Sequence, residues 1–211
     1  MTTITAKIVA DSIAARSGVR LTSLLLRYPR PIHSELMTHR VFSRNASSSR
    51  AIPVERLIQQ VIDDPFVPLH WGKNQPGMQA HEETSAPVIL YDDAPRFTRE
   101  GAWLAARDEA VRHARAFAAA GYHKQIVNRL LEPFAHITVL VTSTEWDNWF
   151  ALRNHPDAEP HIQRLAQAML QAMDQSVPRE VGTLDWHLPF ADDEETREAA
   201  QRYLRDRLMR R

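Results

Sequence analysis

A polar segment near the start of the chain places the strongest constraint on how this protein can fold. Residues 38–50, THRVFSRNASSSR, contain one histidine, three arginines, one asparagine and four serines, with almost no apolar side chain. Such a segment buries too little apolar surface to offset the entropy lost when it is ordered, so it cannot form core. Its Ser and Asn side chains also compete with the backbone for hydrogen bonds. The sequence therefore predicts an irregular surface loop from Thr38 to Arg50.

The same segment carries the groups that bind a phosphate monoester. Ser47, Ser48 and Ser49 offer backbone N–H groups and hydroxyls, and Arg50 adds a planar, forked cation. Composition alone leaves a solvated basic loop open as the alternative.

The spacing of the polar residues in this segment resembles the signature of flavin-dependent thymidylate synthases. That signature reads Arg-His-Arg-x-x-Ser-x-Asn-Glu-x-Ser-x-Arg, and the chain matches it at six side chains: His39, Arg40, Ser43, Asn45, Ser48 and Arg50. Two positions depart from it, because Thr38 stands in place of the first arginine and Ala46 in place of the glutamate. The longer run from Pro29 to Pro53 is similar to a shorter, divergent branch of the family.

A second stretch of the chain is similar to the downstream part of the same family. Arg129, Pro133 and Thr138 keep the spacing of its Arg-x-x-x-Pro motif and of the threonine nine residues after that arginine. The sequence TEWDNWFALR resembles a family helix, on which Asn148 falls at the asparagine near the flavin ring and Arg153 at the arginine against the substrate. The resemblance covers residues 19–168 and departs from the pattern at Thr142, Thr144 and Asp157.

The resemblance implies a set of site residues. The implied substrate-binding residues are Ser47, Ser48, Arg50, Arg129 and Arg153. Arg153 is also the implied catalytic residue, since a preorganised cation stabilises the negative charge that develops on a pyrimidine oxygen. The implied cofactor-binding residues are His39, Arg40, Ser43, Asn45 and Asn148. No metal site is expected.

The resemblance also implies a reaction. A one-carbon unit passes from methylenetetrahydrofolate to C5 of a pyrimidine deoxynucleotide, with FAD as the cofactor that carries the hydride chemistry and NADPH as reductant. Conversion of dUMP to dTMP is expected. Modification of dCMP or UMP, hydroxymethylation, and an inactive flavin- or nucleotide-binding relative remain as alternatives. The family also implies a homotetramer whose active sites combine several subunits.

The absence of the family glutamate at Ala46 makes an arginine-rich site more positive. At an effective dielectric constant of about 20, one unit charge at about 4 Å contributes roughly 4 kcal/mol. One hypothesis is that Glu35, on the preceding predicted helix, supplies the missing carboxylate from another direction. The other is that the enzyme acts on a different pyrimidine nucleotide or leaves a hydroxymethyl group.

Composition excludes several classes of protein. The 211 residues suit one domain, 1–211, and the 26 basic and 26 acidic side chains leave no overall charge to attract nucleic acid. Cysteine is absent, which excludes disulfides, zinc–thiolate sites and the cysteine nucleophile of flavin-free thymidylate synthases. No apolar run approaches about 20 residues, and the N-terminus lacks the apolar centre of a secretion signal. We therefore expect a cytoplasmic protein without membrane or nucleic-acid partners.

The hydrophobic pattern predicts an α+β fold, a mixed or antiparallel sheet flanked by helices. The predicted strands are Thr3–Ala10, Val19–Tyr28 and His136–Thr142. The predicted helices are Pro31–Met37, Pro53–Asp63, Pro95–Ala120, Lys124–Leu131, one after Thr144, His161–Asp174 and Glu194–Met209.

The least regular part of the chain is residues 64–85. A loop of this length is usually functional or disordered. Trp71 and Met78 either belong to a flap over a flat ring or, with Trp71 packed down, to an ordered surface loop. No zinc, Rossmann, P-loop or serine-hydrolase motif is present elsewhere.

Overall fold

A five-stranded mixed sheet organises the fold. The computed structural model describes residues 3–90 and 96–209. The strands are β1 (Thr5–Ala14), β2 (Arg20–Pro29), β3 (Ser43–Ala46), β4 (His136–Ser143) and β5 (Arg179–Val181). The α-helices are α1 (His33–Met37), α2 (Val54–Asp63), α3 (Arg99–Ala119), α4 (Lys124–Val127), α5 (Asp147–Arg153), α6 (Pro160–Asp174) and α7 (Glu194–Met209). The predicted α+β class is confirmed.

The strand order is β3-β4-β2-β1-β5. All pairs are antiparallel except β1 and β5, which are parallel. Because side chains alternate between the two faces of a strand, the long central strands β2 and β4 divide their residues between a buried and a more open surface.

The main core lies on one face of the sheet, against α1, α5 and α6. Apolar side chains of β2 and β4 alternate at two-residue spacing, and α6 presents apolar residues at helical spacing, so the two surfaces bury each other. The members that are 0% exposed are Leu24, Leu26, Tyr28, Leu36, Val139, Val141, Ile162, Leu165, Ala166 and Met169.

A second, smaller core joins α2, α3 and α4. Its buried members are Leu57, Ile58, Val61, Val111, Ala114, Val127, Leu131, Phe134 and Ala135. Pro53 is the N-cap of α2, one residue before the first helical position predicted for it, and the Thr98 hydroxyl accepts from the Gly101 N–H to cap α3. α3 therefore begins at Arg99, and the predicted start at Pro95 lies outside the described residues.

The opposite face of the sheet is only partly covered. It presents Ser43 and Asn45 of β3, Thr138, Leu140 and Thr142 of β4, and Leu25 of β2, which are half-buried or exposed. We call this surface the open sheet face. Directly opposed residues of an antiparallel pair lie on the same face, which places Ser43 beside Thr142 and Asn45 beside Leu140.

The polar segment is more ordered than the sequence predicts. Residues 43–46 form the edge strand β3, and a 3₁₀ turn covers Ser49–Ala51, so the expectation of an irregular loop throughout is wrong. His39, Phe42 and Ser49 are buried. β4 supplies the backbone partners that composition could not reveal, because strand pairing is a long-range interaction.

Two other predicted elements differ in extent. The predicted helix Lys124–Leu131 is α4 followed by a 3₁₀ turn at Asn128–Leu130. β1 runs to Ala14, past the predicted end at Ala10, because its last residues pair with β5. Within the described part of the chain, the helices lack the combination of length and apolarity that crossing a membrane requires.

Candidate active site

The guanidinium of Arg153 is held at three nitrogen atoms at the end of α5. Nε donates to His39 Nε2 at 3.1 Å, Nη1 to the Glu35 carboxylate at 3.2 Å and Nη2 to Thr38 Oγ1 at 3.3 Å. A guanidinium has five N–H donors, so two remain for a ligand. The fold thus joins the predicted residues Arg153 and His39 to the hypothesised carboxylate of Glu35.

His39 is the neutral partner in this group. It is buried, with its ring edge-on to Trp149 at 4.7 Å and stacked on Phe42 at 5.8 Å. Burial lowers its pKa, and the charges of Arg153 and Arg44 lower it further. Because Nε2 accepts from Arg153, the ring proton must reside on Nδ1. His39 therefore holds the Arg153 guanidinium in place by accepting its Nε hydrogen bond. The predicted contact of His39 with the flavin stays a prediction.

Glu35 faces a cavity of about 690 Å³ beside Arg153. Burial and the nearby carboxylate of Glu159 raise the pKa of Glu35, while the Arg153 charge opposes them. Leu152 and Met78 also line the cavity, and the Met78 side chain is fully exposed. Trp71 does not join it, since its ring packs edge-on to Trp103 at 6.1 Å and beneath the Arg99 guanidinium. The loop is therefore packed down at Trp71, with Met78 at the cavity.

Ser47 is not the backbone donor that the sequence suggested. Its N–H donates to the Thr138 carbonyl at 2.9 Å, and its hydroxyl accepts from the Thr138 N–H at 3.2 Å. These bonds extend the β3–β4 pairing by one residue and use the N–H that was assigned to phosphate. Ser48 is different, because its N–H and hydroxyl have no hydrogen-bond partner among residues 3–90 and 96–209.

The Glu132 carboxylate forms hydrogen bonds with groups that were predicted to bind phosphate. Its carboxylate accepts from Ser49 Oγ at 2.6 Å and from Arg129 at 2.9 Å to each oxygen, and Arg30 lies at 3.3 Å. Burial alone would raise its pKa, but the bonds from Ser49 and Arg129 and the charge of Arg30 outweigh it and hold the pKa below its ordinary value. Glu132 thus brings Arg129 to the serine segment.

Asn128 fixes the same segment from below. It is fully buried, and its Nδ2 donates to the carbonyls of Ser49 at 2.8 Å and Ile52 at 3.0 Å. Sequence reasoning missed both Asn128 and Glu132. Glu132 lies three residues after Arg129, a helical neighbour spacing that is a usable signal. The sequence gives no signal for the role of Asn128 beyond its position next to Arg129.

Arg40 and Arg50 are exposed and have no hydrogen-bond or ion-pair partner in the described chain. Ser43 and Asn45 lie on the open sheet face, and Asn148 lies on the exposed side of α5. No hydrogen bond or ion pair links these residues to Arg153 in the described protein. Their predicted contacts with a cofactor stay predictions.

Two groups of contacts surround the arginines of the predicted site. The Arg153 cluster contains Glu35, Thr38 and His39, and the Arg129 cluster contains Arg30, Ser49 and Glu132. These two arginine clusters lie on different sides of α1. Glu35 lines the Arg153 cavity, whereas His33 lines an open cleft of about 570 Å³ with Arg30, Arg129 and Glu132. Residues two apart on a helix point about 200° from each other. One chain therefore presents its Arg129 and Arg153 groups in separate cavities.

Comparison with known protein families identifies the family of this chain. Residues 19–179 match the family model described as thymidylate synthase complementing protein. The chain belongs to this family. The matched range contains both arginine clusters and all of β2, β3 and β4, which confirms the resemblance to flavin-dependent thymidylate synthases.

Solved structures support the same fold. The chain is similar to the UMP/dUMP methylase PolB from Streptomyces cacaoi bound with 5-Br UMP, with a TM-score of 0.62 and 19% identity over 83% of this chain and 90% of that one. A second structure of PolB, bound with 5-Br dUMP, gives a TM-score of 0.59 and 16% identity over 82% and 91%. No curated protein sequence matches the chain.

The two departures from the family signature have different environments. Thr38, in place of an arginine, accepts a hydrogen bond from Arg153, and its own hydroxyl donates to the Glu35 carbonyl at 2.6 Å. Ala46 is exposed at the end of β3. Two carboxylates, Glu35 and Glu132, lie near arginines that belong to the predicted site.

Proposed function

We propose that the protein transfers a one-carbon unit from methylenetetrahydrofolate to C5 of a pyrimidine nucleotide, with FAD as cofactor, NADPH as reductant and dUMP as substrate. The observation that carries the proposal is the Arg153 guanidinium, held by Glu35, Thr38 and His39 at the mouth of a cavity in a chain that belongs to this family.

Arg153 is the proposed catalytic residue. Three of its donors are fixed within the chain, so the remaining two face the ligand without a reorganisation cost. A preorganised cation of this kind stabilises negative charge on a pyrimidine oxygen, which makes C5 more nucleophilic. Glu35 orients the cation and replaces the carboxylate missing at Ala46.

The phosphate group is assigned to Arg129, Arg50 and Ser48. Arg50 is free of internal ion pairs in the described chain, and Ser48 has a free N–H and hydroxyl there. Charge-assisted contacts of this type are about twice as strong as neutral hydrogen bonds. Ser47 contributes at most its hydroxyl, because its N–H bonds to Thr138.

The open sheet face fits a flavin. Leu25 and Leu140 give it a half-exposed apolar centre, and Ser43, Asn45 and Thr142 surround that centre with hydrogen-bonding groups. A flat ring needs such a surface, and the unpaired Arg40 can neutralise phosphate. When bound, the flavin supplies the hydride chemistry of the reaction. Ser43 and Asn45 are proposed to hold it from this face, and His39, Arg40 and Asn148 are the other residues proposed to hold it. Because His39 and Asn148 lie with α1 and α5 on the core side of the sheet, a second subunit of the proposed oligomer would have to supply them.

A homotetramer is part of the proposal. Arg129 and Arg153 lie in separate cavities of one chain, on different sides of α1. A nucleotide whose phosphate meets Arg129 and whose base meets Arg153 can then contact both only if the two arginines come from different subunits. The alanine-rich, largely exposed α3 offers a surface that permits close helix approach.

A ribonucleotide is the second candidate substrate. PolB, a UMP/dUMP methylase, shares the fold of this chain and was solved with both 5-Br UMP and 5-Br dUMP.

Tritium release tests the proposal. Purified protein should show the absorption band of oxidised flavin and release tritium from C5-labelled dUMP when methylenetetrahydrofolate and NADPH are present. Parallel reactions with labelled UMP and dCMP rank the substrates. A colourless protein that binds no added FAD and releases no tritium from any of the three nucleotides would contradict the proposal.

A further inference from the structure

His187 lies between two buried serines at one end of the sheet. Its Nδ1 is 2.9 Å from Ser12 Oγ of β1, and its Nε2 is 2.8 Å from Ser23 Oγ of β2. Ser12 and Ser23 are 4% and 0% exposed, so both hydroxyls are shielded from bulk solvent. The hydrogen bonds of this histidine are therefore determined within the chain.

The chain of hydrogen bonds continues to the open sheet face. Ser23 Oγ lies 2.5 Å from Thr142 Oγ1 on β4, and Thr142 is half-buried beside Ser43. Ser43 is one of the residues proposed to hold the flavin. Three consecutive hydrogen bonds thus connect Ser12 to the surface at which that cofactor is proposed to bind.

The tautomer of His187 determines what Thr142 offers to a ligand. A neutral imidazole donates from one nitrogen and accepts at the other. If Nε2 carries the proton, Ser23 accepts from it and donates to Thr142, whose own O–H is then free to donate outward. If Nδ1 carries the proton, Ser23 donates to Nε2 and accepts from Thr142, which then offers only lone pairs.

Segment 182–190, which includes His187, is anchored by the C-terminal helix. The buried side chain of Gln201 on α7 accepts from the Trp186 N–H at 2.9 Å and donates to the Trp186 carbonyl at 2.9 Å. The Phe190 N–H donates to the Val9 carbonyl of β1 at 3.3 Å. Both Ser12 and His187 lie outside the range that matches the family model, whereas Ser23 and Thr142 lie inside it. The hydrogen-bonded chain therefore joins residues inside the matched range to residues outside it.

Two charged groups act on His187. Burial lowers its pKa, Asp11 of β1 opposes that effect, and Arg179 of β5 adds to it. Asp11 is itself paired with Arg20, which weakens its influence. The imidazole is therefore neutral near pH 7, where its two tautomers are the relevant states.

We propose that His187 is a positioning residue that acts through Ser23 to fix the orientation of the Thr142 hydroxyl toward a hydrogen-bonding group of the bound flavin. This inference rests on the proposed function for its ligand. It gives His187, outside the matched family range, a role that acts through Ser23 and Thr142 inside that range. Neither Arg153 nor the phosphate-binding residues take part.

The first test uses the ligand-free protein. Nitrogen-15 chemical shifts distinguish the two tautomers of a histidine, so selectively labelled protein should give His187 signals of one predominant tautomer. Adding FAD should strengthen the same tautomer or convert it to the other. An equal mixture of tautomers, unchanged by FAD in a protein that binds FAD, would overturn the inference.

The second test measures flavin affinity and spectrum in variants. Ser23→Ala and Thr142→Val each remove one link and should weaken FAD binding about five- to tenfold, the value of one hydrogen bond. His187→Gln, which keeps a donor and an acceptor, should recover most of the affinity that His187→Phe loses. Ser12→Ala is the control for a structural role, since it removes a serine from the far side of the imidazole and should affect affinity least. The oxidised-flavin band should shift in Thr142→Val and Ser23→Ala.

These outcomes separate the inference from the proposed function. If the wild type binds no FAD, the proposed function fails and the inference fails with it. If the wild type binds FAD and all five variants bind it equally with unchanged spectra, the inference alone fails. Equal loss in all variants, with lowered thermal stability, would assign His187 a purely structural role and would also overturn the inference.

Discussion

The ion pair between Glu35 and Arg153 sets the chemistry of the candidate site at the scale of single residues. The Glu35 carboxylate lies near Glu159 and is partly removed from water, so its ionised form is destabilised. The same ionised carboxylate accepts from Arg153 and orients its guanidinium. A group whose pKa is raised on folding adds stability below its unfolded pKa, and this stability is lost as the pH rises through the folded value. Near pH 7 the ionised Glu35 therefore opposes folding.

Glu35→Gln should separate stability from activity. Neutralising the side chain removes the cost of the buried charge, so the melting temperature at pH 7 should be unchanged or higher. Turnover should fall by about tenfold or more, equivalent to about 1.4 kcal/mol in the barrier, because the cation is no longer oriented. Tritium release and thermal unfolding check the two effects.

Glu55→Gln is the matched control, because Glu55 is exposed on α2 without a partner in the described chain. Unchanged kinetics in Glu35→Gln would contradict the role of the carboxylate.

Glu132 makes the opposite pH prediction. Its pKa is lowered on folding, so its contribution to stability is present above the unfolded pKa and is lost as the pH falls through the folded value. Glu132→Gln should lower the stability at pH 7 by about 1 kcal/mol, or roughly 2–4 °C in melting temperature, with a difference from the wild type that shrinks toward pH 4. A difference that stays constant with pH would show that the loss is not electrostatic.

At the scale of elements, the 3₁₀ turn after α4 positions the serine segment. The fully buried side chain of Asn128 links them, because it donates to the carbonyls of Ser49 and Ile52. Glu132 adds a second, partly buried link through its bond from the Ser49 hydroxyl. The position of Ser48 and Arg50 therefore depends on an element more than seventy residues away in sequence.

Asn128→Ala should weaken nucleotide binding without affecting the flavin. The substitution leaves the Ile52 carbonyl without its donor and the Ser49 carbonyl with only the Ile52 N–H, so it should cost about 1–3 kcal/mol of stability and loosen the serine segment. Calorimetric titration should show a higher dissociation constant for dUMP and an unchanged one for FAD. Equal loss of both ligands would indicate general unfolding, and loss of neither would contradict the link.

Sequence reasoning succeeded where the physical signal is local. The alternation in β2 and β4 and the helical spacing in α2, α6 and α7 predicted those elements within a few residues. The motif spacing also led to Arg153 and His39, which the fold brings into contact. β3 and β5 escaped prediction, because short strands are specified by their partners. Glu132, Asn128 and His187 escaped for the same reason, since each acts on residues distant in sequence.

At the scale of the whole molecule, the separation of the two arginine clusters is the feature with the largest consequence. Arg153 and Arg129 line different cavities of one chain, and the proposed homotetramer would let one nucleotide meet both. The site then depends on assembly as much as on the fold of one chain.

Mixing two inactive variants tests this dependence. Arg129→Ala and Arg153→Ala should each abolish most of the tritium release as pure proteins. After the two are unfolded and refolded together, a fraction of the sites would contain both intact arginines, and activity should partly return. If the mixture forms mixed oligomers but recovers no activity, each site uses the arginines of one subunit.

The central claim, transfer of a one-carbon unit to pyrimidine C5, is tested most directly by isotope labelling. The protein, reduced with NADPH in the presence of FAD, is incubated with dUMP and with methylenetetrahydrofolate carrying carbon-13 in its methylene group. The account predicts a product nucleotide with one labelled methyl group at C5, at a yield greatly reduced in Arg153→Gln. A nucleotide of unchanged mass, from protein that has bound flavin and dUMP, would contradict it.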